Sequence, residues 1–319
     1  MHLAFLTPLA ALAVLLATIP LAAWFVLMRR DARTRLTLSL PRPVRASRLG
    51  PAIAILAAAA LIGAAAAQPV IQRRTTHRER TDAEAWVVFD ISLSMAASPG
   101  PRTPDRLERA RRFALALRPR LASTPVGVAS ITDRVLPHLF PTPDEGAFAH
   151  DVRLAIAVNR PPPQRFYAER ATALSALEQF VTAAYFAPEA RYRVLIVLTD
   201  GESQPVSPAL AEVLRKPPGV HVVFVHVWRS DDRIYPTSVA DPNYHPDPSS
   251  GALLERAAAA LQGTSVSEND VGAAVAATRE ALGSGPIKKV GETARVALMP
   301  WVTLAAFLPL GFILWRRNF

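Results

Sequence analysis

The chain of 319 residues contains no cysteine. That excludes disulfides and thiolate metal sites and leaves no clue to redox compartment. It has no Walker loop, no glycine-rich phosphate loop and no recognisable Ser/His/Asp set. The seven histidines are scattered, with no pair at metal-ligand spacing. There is no internal repeat. Charge is also missing from three long stretches: 1–28, 49–72 and 296–315 lack Asp, Glu, Lys and Arg altogether. Each reaches the roughly 20 apolar residues that a bilayer core requires. Pro20, Pro300 and Pro309 lie inside them, and membrane helices tolerate proline better than soluble ones. A core helix of this length would normally keep a polar face. The expectation is three transmembrane helices over these ranges.

A net charge of +10 invites a nucleic-acid reading until the charges are located. Residues 29–48 carry seven Arg and one Asp, residues 73–80 four Arg and one Glu, and Arg316 and Arg317 close the chain. Everything else together is −1. The basic excess therefore flanks the apolar runs, where it sets topology and faces anionic lipid. No nucleic-acid partner is expected. The first apolar run has only His2 before it and Arg29, Arg30, Arg33 and Arg35 after it. That is the reverse of a signal peptide, so it reads as an uncleaved span. The 29–48 loop is short and the most basic, hence cytoplasmic. The soluble region then lies outside, in a multi-pass protein of the cell membrane.

Between the second and third runs, strand-like and helix-like signals alternate. "EAWVVFDIS", "YRVLIVLTDG" and "VHVVFVHVWR" are buried strands. "PVGVASITD" and "RVLPHLF" form an antiparallel edge pair. Helices are expected over 105–118, 144–158, 172–186 and 250–263, and after a cap at Asn269 or Asp270. The pattern predicts an α/β fold, a mostly parallel central sheet with helices on both faces. Ligands of such sheets sit beyond the C-terminal strand ends, near a switch in strand order.

Two of those strand ends are polar. One runs Asp90-Ile91-Ser92-Leu93-Ser94 and the other Thr199-Asp200-Gly201-Glu202, and a loop before a helix supplies Thr172. Buried polar groups are costly unless something satisfies them. An all-oxygen set without His or Cys suits a hard cation such as Mg²⁺, with Mn²⁺ or Ca²⁺ as alternatives. Ser175 is the substitute for Thr172. Glu202 reads as a solvated residue at a helix start. The aspartates at 231, 232, 241 and 247 lack EF-hand spacing, and 230–250 reads as a plain surface loop.

The sequence of an apolar strand, Asp-x-Ser-x-Ser, a later Thr, and a strand ending Thr-Asp-Gly resembles the metal-ion-dependent adhesion site (MIDAS) of von Willebrand factor A (VWA) domains, over residues 82–283. The resemblance implies a Rossmann-like VWA fold in which Ser92, Ser94 and Thr172 hold the metal by their hydroxyls. Asp90 and Asp200 would act through water, and one position would stay open for a partner's carboxylate. Leu93 stands where the family often has Gly, and Glu169-Arg170-Ala171 precedes Thr172 without the family's glycine. The arrangement of two spans, an A domain and a closing span looks like the Bat (aerotolerance-type) membrane proteins. Membership would imply a non-enzymatic interaction protein of envelope or complex assembly, with other Bat-like proteins and a MoxR-type AAA+ ATPase as partners. Two alternatives remain: a metal-free VWA scaffold, and a phosphatase of the haloacid dehalogenase type. The latter wants a second Asp where Ser92 stands.

Overall fold

The computed structural model describes residues 2–38, 49–121, 123–163 and 172–318. The chain forms two units, Met1–Thr76 with Gly291–Phe319, and His77–Val290. In the first, β1 (His2–Phe5) leads into a 3-10 helix (Pro8–Ala17), α1 (Thr18–Thr37) and α2 (Leu49–Ala66). The strand β2 (Pro69–Arg80) leaves this unit, and a late strand at Ile287–Ala297 returns to it before a final helix at Met299–Asn318. α2 packs along that final helix and along the 3-10 segment.

The uncharged runs predict three spans. Among the described residues, one continuous helix, Pro8–Thr34, is long and apolar enough to cross a membrane. Gly50–Ala66 and Met299–Trp315 are shorter apolar helices. The absence of charge marks apolar chain, not where a helix stops. The 49–72 run is cut because Pro69 opens β2, and the 296–315 run because Val296 and Ala297 finish a strand. Residues 29–37, expected in a basic loop, continue α1 as helix, and 39–48 lie outside the described residues.

The second unit follows as β3 (Ala83–Asp90), α3 (Arg106–Leu117), β4 (Val126–Ile131), β5 (Val135–Thr142), α4 (Glu145–Leu154), a 3-10 turn (Leu174–Glu178) running into the one-turn α5 (Gln179–Thr182), β6 (Tyr192–Thr199), α6 (Pro208–Arg215), β7 (His221–His226), α7 (Ser250–Leu261), β8 (Thr264–Ser267) and α8 (Val271–Leu282). The late strand is β9 and the last helix α9. The sheet order is β5-β4-β3-β6-β7-β8, parallel except for β5. This is the expected mostly parallel α/β sheet with one antiparallel edge.

Alternation along β3 decides the layering. Ala85, Val87 and Phe89 face one core with α3, α4 and α8. Trp86 and Val88 face the other, with α6, α7 and the 174–182 segment. Helix starts are capped by Asp105, Asp144, Ser207 and Asp270, whose side chains accept backbone N–H bonds. α6 is a helix the sequence pattern does not predict, although Ser207 before Pro208 is its start signal. The helix expected over 172–186 is two short turns instead. The second ends at Thr182, and Ala184 just beyond its cap is left-handed, with φ 53°. Both sheet edges are blunt: β5 contains Pro137 and Pro141, and β8 has four residues.

Candidate metal centre

The chain runs from β3 to β4 on one side and returns to β6 on the other, so strand order reverses between β3 and β6. The crevice beyond their C-terminal ends is where an open α/β sheet binds ligands. Asp90 ends β3 and Asp200 follows β6, and both are fully buried.

Asp90 is the hub. Ser92 donates its backbone N–H to Oδ1 at 2.9 Å. The Thr172 hydroxyl donates to the carboxylate at 2.8 and 2.9 Å. The Thr199 hydroxyl donates to Oδ2 at 2.7 Å. Ser92 Oγ and Ser94 Oγ lie 3.0 Å apart, at the start of a 3-10 turn (Leu93–Ala96). Thr172 reaches the crevice because a one-residue parallel bridge ties it to Ser203 and its flank bonds Thr132 and Gln204. Thus Thr172, and not Ser175, contacts Asp90; Ser175 is exposed on the 3-10 turn. Residues 164–171, including the approach Glu169-Arg170-Ala171, lie outside the described residues. Thr199, to which the strand-end motif assigns no role, is a direct donor to Asp90.

Asp200 is held differently. Its Oδ1 accepts the N–H of Glu202 at 3.0 Å, and its Oδ2 pairs with Arg106 Nη1 at 2.8 Å. Gly201 between them has φ +75°, and a Cβ there would sit 2.8 Å from the carbonyl oxygen of Ser250. Only glycine makes this turn at this distance.

Arg106 opens α3, yet it is 0% exposed. It also donates to Glu202 at 2.9 Å and, through Nε, to Asp232 at 2.8 Å. Asp232 pairs with Arg109, and Arg109 with Glu268. Tyr244 donates its hydroxyl to Glu202 and receives a bond from Arg106 Nη1 at 2.8 Å. The 230–250 loop is therefore no plain surface loop. Asp232 is buried, and Tyr244 and Asp247 are bonded to Glu202. Nor is Glu202 a solvated helix start, since α6 begins only at Pro208. Local pattern gives no sign of this network, whose members are distant in sequence.

Electrostatics follow from burial. Desolvation, then the neighbouring Asp200 charge, pushes the Asp90 carboxyl up to about 6. Glu202 is raised for the same two reasons in the same order. Burial disfavours the Arg106 charge, but its carboxylate partners outweigh that and raise it. His226 Nε2 lies 3.1 Å from the Asp200 carbonyl oxygen and 3.0 Å from Ser250 Oγ, and burial pushes its pKa down.

The donor chemistry fits a hard divalent cation. Four carboxylates, those of Asp200, Glu202, Asp232 and Glu268, pair with three guanidiniums, those of Arg106, Arg109 and Arg229, while Asp90 meets hydroxyls and a backbone N–H. Hydroxyls that give their protons to a carboxylate keep lone pairs for an ion. Among the described residues, buried Arg106 Nη2 and Ser203 Oγ have no hydrogen-bond partner; a water on a bound cation points its hydrogens outward, so it suits Ser203 Oγ as an acceptor and does not suit the donor-only guanidinium. Against this, no group of three His, Cys, Asp or Glu able to hold a metal occurs among the described residues. The hydroxyls of Ser92, Ser94 and Thr172 would have to carry the ion.

No protein-family model and no curated protein matches the sequence. Solved structures do. BatB of Bacteroides thetaiotaomicron superposes with a TM-score of 0.52 at 20% identity, over 63% of this chain and 100% of that one. An aerotolerance-related membrane protein of Bacteroides fragilis NCTC 9343 superposes with a TM-score of 0.50 at 20% identity, over 63% of this chain and 98% of that one. At this identity the likeness is one of fold.

Proposed function

We propose, from the mostly parallel α/β fold that superposes on BatB and from the polar strand ends, that this is a membrane-anchored protein of the VWA, Bat-type class. Its Asp90, Ser92, Ser94, Thr172 and Asp200 hold a divalent cation and offer it to a carboxylate on another protein. The observation that carries this reading is the convergence of three separate chain segments on Asp90: the Asp-x-Ser-x-Ser loop, Thr172 and Thr199. The hydroxyls of Ser92, Ser94 and Thr172 would bind the ion directly, and the two aspartates through water. An ion held mainly by neutral oxygens keeps most of its charge, so it attracts an acidic side chain more than it activates water. Mg²⁺ is the expected occupant because it needs few protein ligands and retains water.

The reading is non-enzymatic. Two hydroxyls lie within hydrogen-bond reach of a histidine, Ser130 at 2.8 Å from His138 and Ser250 at 3.0 Å from His226; both serines are buried, and His226 shares its Nε2 with a backbone carbonyl. Multi-pass insertion with the VWA unit outside the cytoplasm rests on the apolar helix Pro8–Thr34, the two shorter apolar helices and the position of the arginines. Assembly work with other Bat-like proteins and a MoxR-type AAA+ ATPase rests on the family resemblance alone.

One observation favours a second reading. Arg106 already pairs with Asp200, as a resident cation would in a metal-free scaffold. Titration calorimetry with Mn²⁺ and Mg²⁺ on the detergent-solubilised chain decides between the two. Binding that Ser92→Ala abolishes supports the metal site; no heat at millimolar ion selects the scaffold.

A further inference from the structure

A groove of about 610 Å³ opens between two loops of the VWA unit, lined by Gly100, Pro101, Arg102, Thr103, Thr237 and Ser238. One wall continues from the segment that carries Ser92 and Ser94; the other is the loop after β7. Neither wall is loose. Ser98 and Arg233 exchange two backbone hydrogen bonds of 2.8 Å, which bridges the loops like a short antiparallel ladder. Thr103 Oγ1 closes its own loop on Gly100 at 2.9 Å. Beneath, Asp232 and Tyr244 anchor the second loop on Arg106, the same guanidinium that grips Asp200.

The chemistry of this groove is one-sided. It offers hydroxyls and the exposed guanidinium of Arg102, which has no ion-pair or hydrogen-bond partner among the described residues, and no carboxylate lines it. Apolar residues stand beside the two polar features: Leu93 is 39% exposed between the two serines, and Val239, next to Ser238, is 71% exposed. An exposed cation in a preformed concavity, with bare aliphatic side chains nearby, is the complement of an acidic peptide segment that also carries apolar residues.

We infer that this groove is the second contact point of the partner. An extended acidic segment would seat one carboxylate at the metal centre and another on Arg102, with Val239 packing against an apolar residue between them. The inference rests on the metal-dependent reading above and adds to it where the partner runs and what it carries. The ordered walls give it a functional sense: the groove is held ready, so binding need not order two loops.

The test uses the full chain in the membranes of the producing cell. A photo-crosslinking amino acid replaces Val239, and in a control it replaces Leu154, an equally exposed position on α4. The expected result is a crosslink from position 239 to a protein segment with Asp or Glu within a few residues. Arg102→Glu should lower its yield about tenfold, and chelator should do the same. Position 154 should not give that adduct. Calorimetry on Arg102→Glu should show Mn²⁺ affinity unchanged, which separates loss of the groove from loss of the ion. Four results overturn the inference: no adduct at 239 in a chain that binds Mn²⁺, an adduct indifferent to Arg102→Glu, an adduct equally formed at 154, or a crosslinked segment without acids. If the chain binds no Mn²⁺, the metal reading falls; an Arg102-dependent adduct to an acidic segment then still supports the groove.

Discussion

Arg106 Nη1 lies 2.8 Å from Asp200 Oδ2, and both residues are sealed from solvent. A buried ion pair is weak evidence for stability as a whole, but breaking one by removing a partner strands the other charge. Arg106 has three such partners, Asp200, Glu202 and Asp232. Arg106→Met is therefore expected to destabilise the unit by about 3–5 kcal/mol. Millimolar Mg²⁺ should restore part of the loss if the ion enters beside Asp200. Thermal melts of the solubilised chain, with ion and with chelator, read both effects.

Asp90 gives a pH signature. Its carboxyl sits at about 6 in the folded protein, against 3.8 for an unhindered one, because burial and Asp200 disfavour the charge. A group that binds protons more tightly when folded stabilises the fold as pH falls. With chelator present, stability from this residue should rise as pH drops from above about 6 toward about 4. Asp90→Asn should flatten that part of the profile and raise stability at neutral pH by roughly 1–3 kcal/mol. Metal affinity should show the opposite slope, weakening as the carboxyl takes up its proton, and should vanish in Asp90→Asn. A melt-against-pH series with a parallel Mn²⁺ titration checks the two signs. A flat apo profile in the native chain would mean that Asp90 carries no raised pKa and that its charge is satisfied in the empty crevice.

Thr172 and Ser175 separate in a direct comparison. Thr172 donates to Asp90, while Ser175 is exposed. Thr172→Ala should weaken Mn²⁺ binding by about tenfold or more, the loss of one good oxygen interaction. Ser175→Ala should leave calorimetric affinity unchanged. Equal effects would mean that Thr172 is no ligand.

Orientation can be read without background in a chain that has no cysteine. Thr237→Cys, in the exposed part of the 230–250 loop, should react with a membrane-impermeant thiol reagent in intact cells or spheroplasts. Ser39→Cys should react only after lysis. The reverse pattern would place the VWA unit in the cytoplasm.

The sheet and its polar strand ends are legible in the sequence because they are local. A five-residue apolar run into Asp90, Ala85 to Phe89, and another into Thr199-Asp200, Val194 to Leu198, announce both the strands and the oxygens at their ends. Arg106 is not legible. It sits in "DRLERARR", where arginines at helical spacing read as a solvated face, and its partners come from strand ends and a loop far along the chain. The loop carrying Asp232 and Tyr244 reads as turn-forming surface for the same reason: its burial is set by a guanidinium elsewhere in the sequence. The apolar runs mislead in the other direction. Leu49–Ala66 and the first four residues of the strand that starts at Pro69 belong to one uncharged run, and only conformation divides them.

The blunt sheet edges bear on what happens when many copies meet. An open strand invites a neighbour to extend the sheet. Prolines are tolerated where the missing donor would have faced outward. Pro137 and Pro141 therefore leave gaps in the row of donors that an incoming strand would need along β5, and β8 offers only four residues to grip. Crowded copies can then lie side by side without extending one another's sheet.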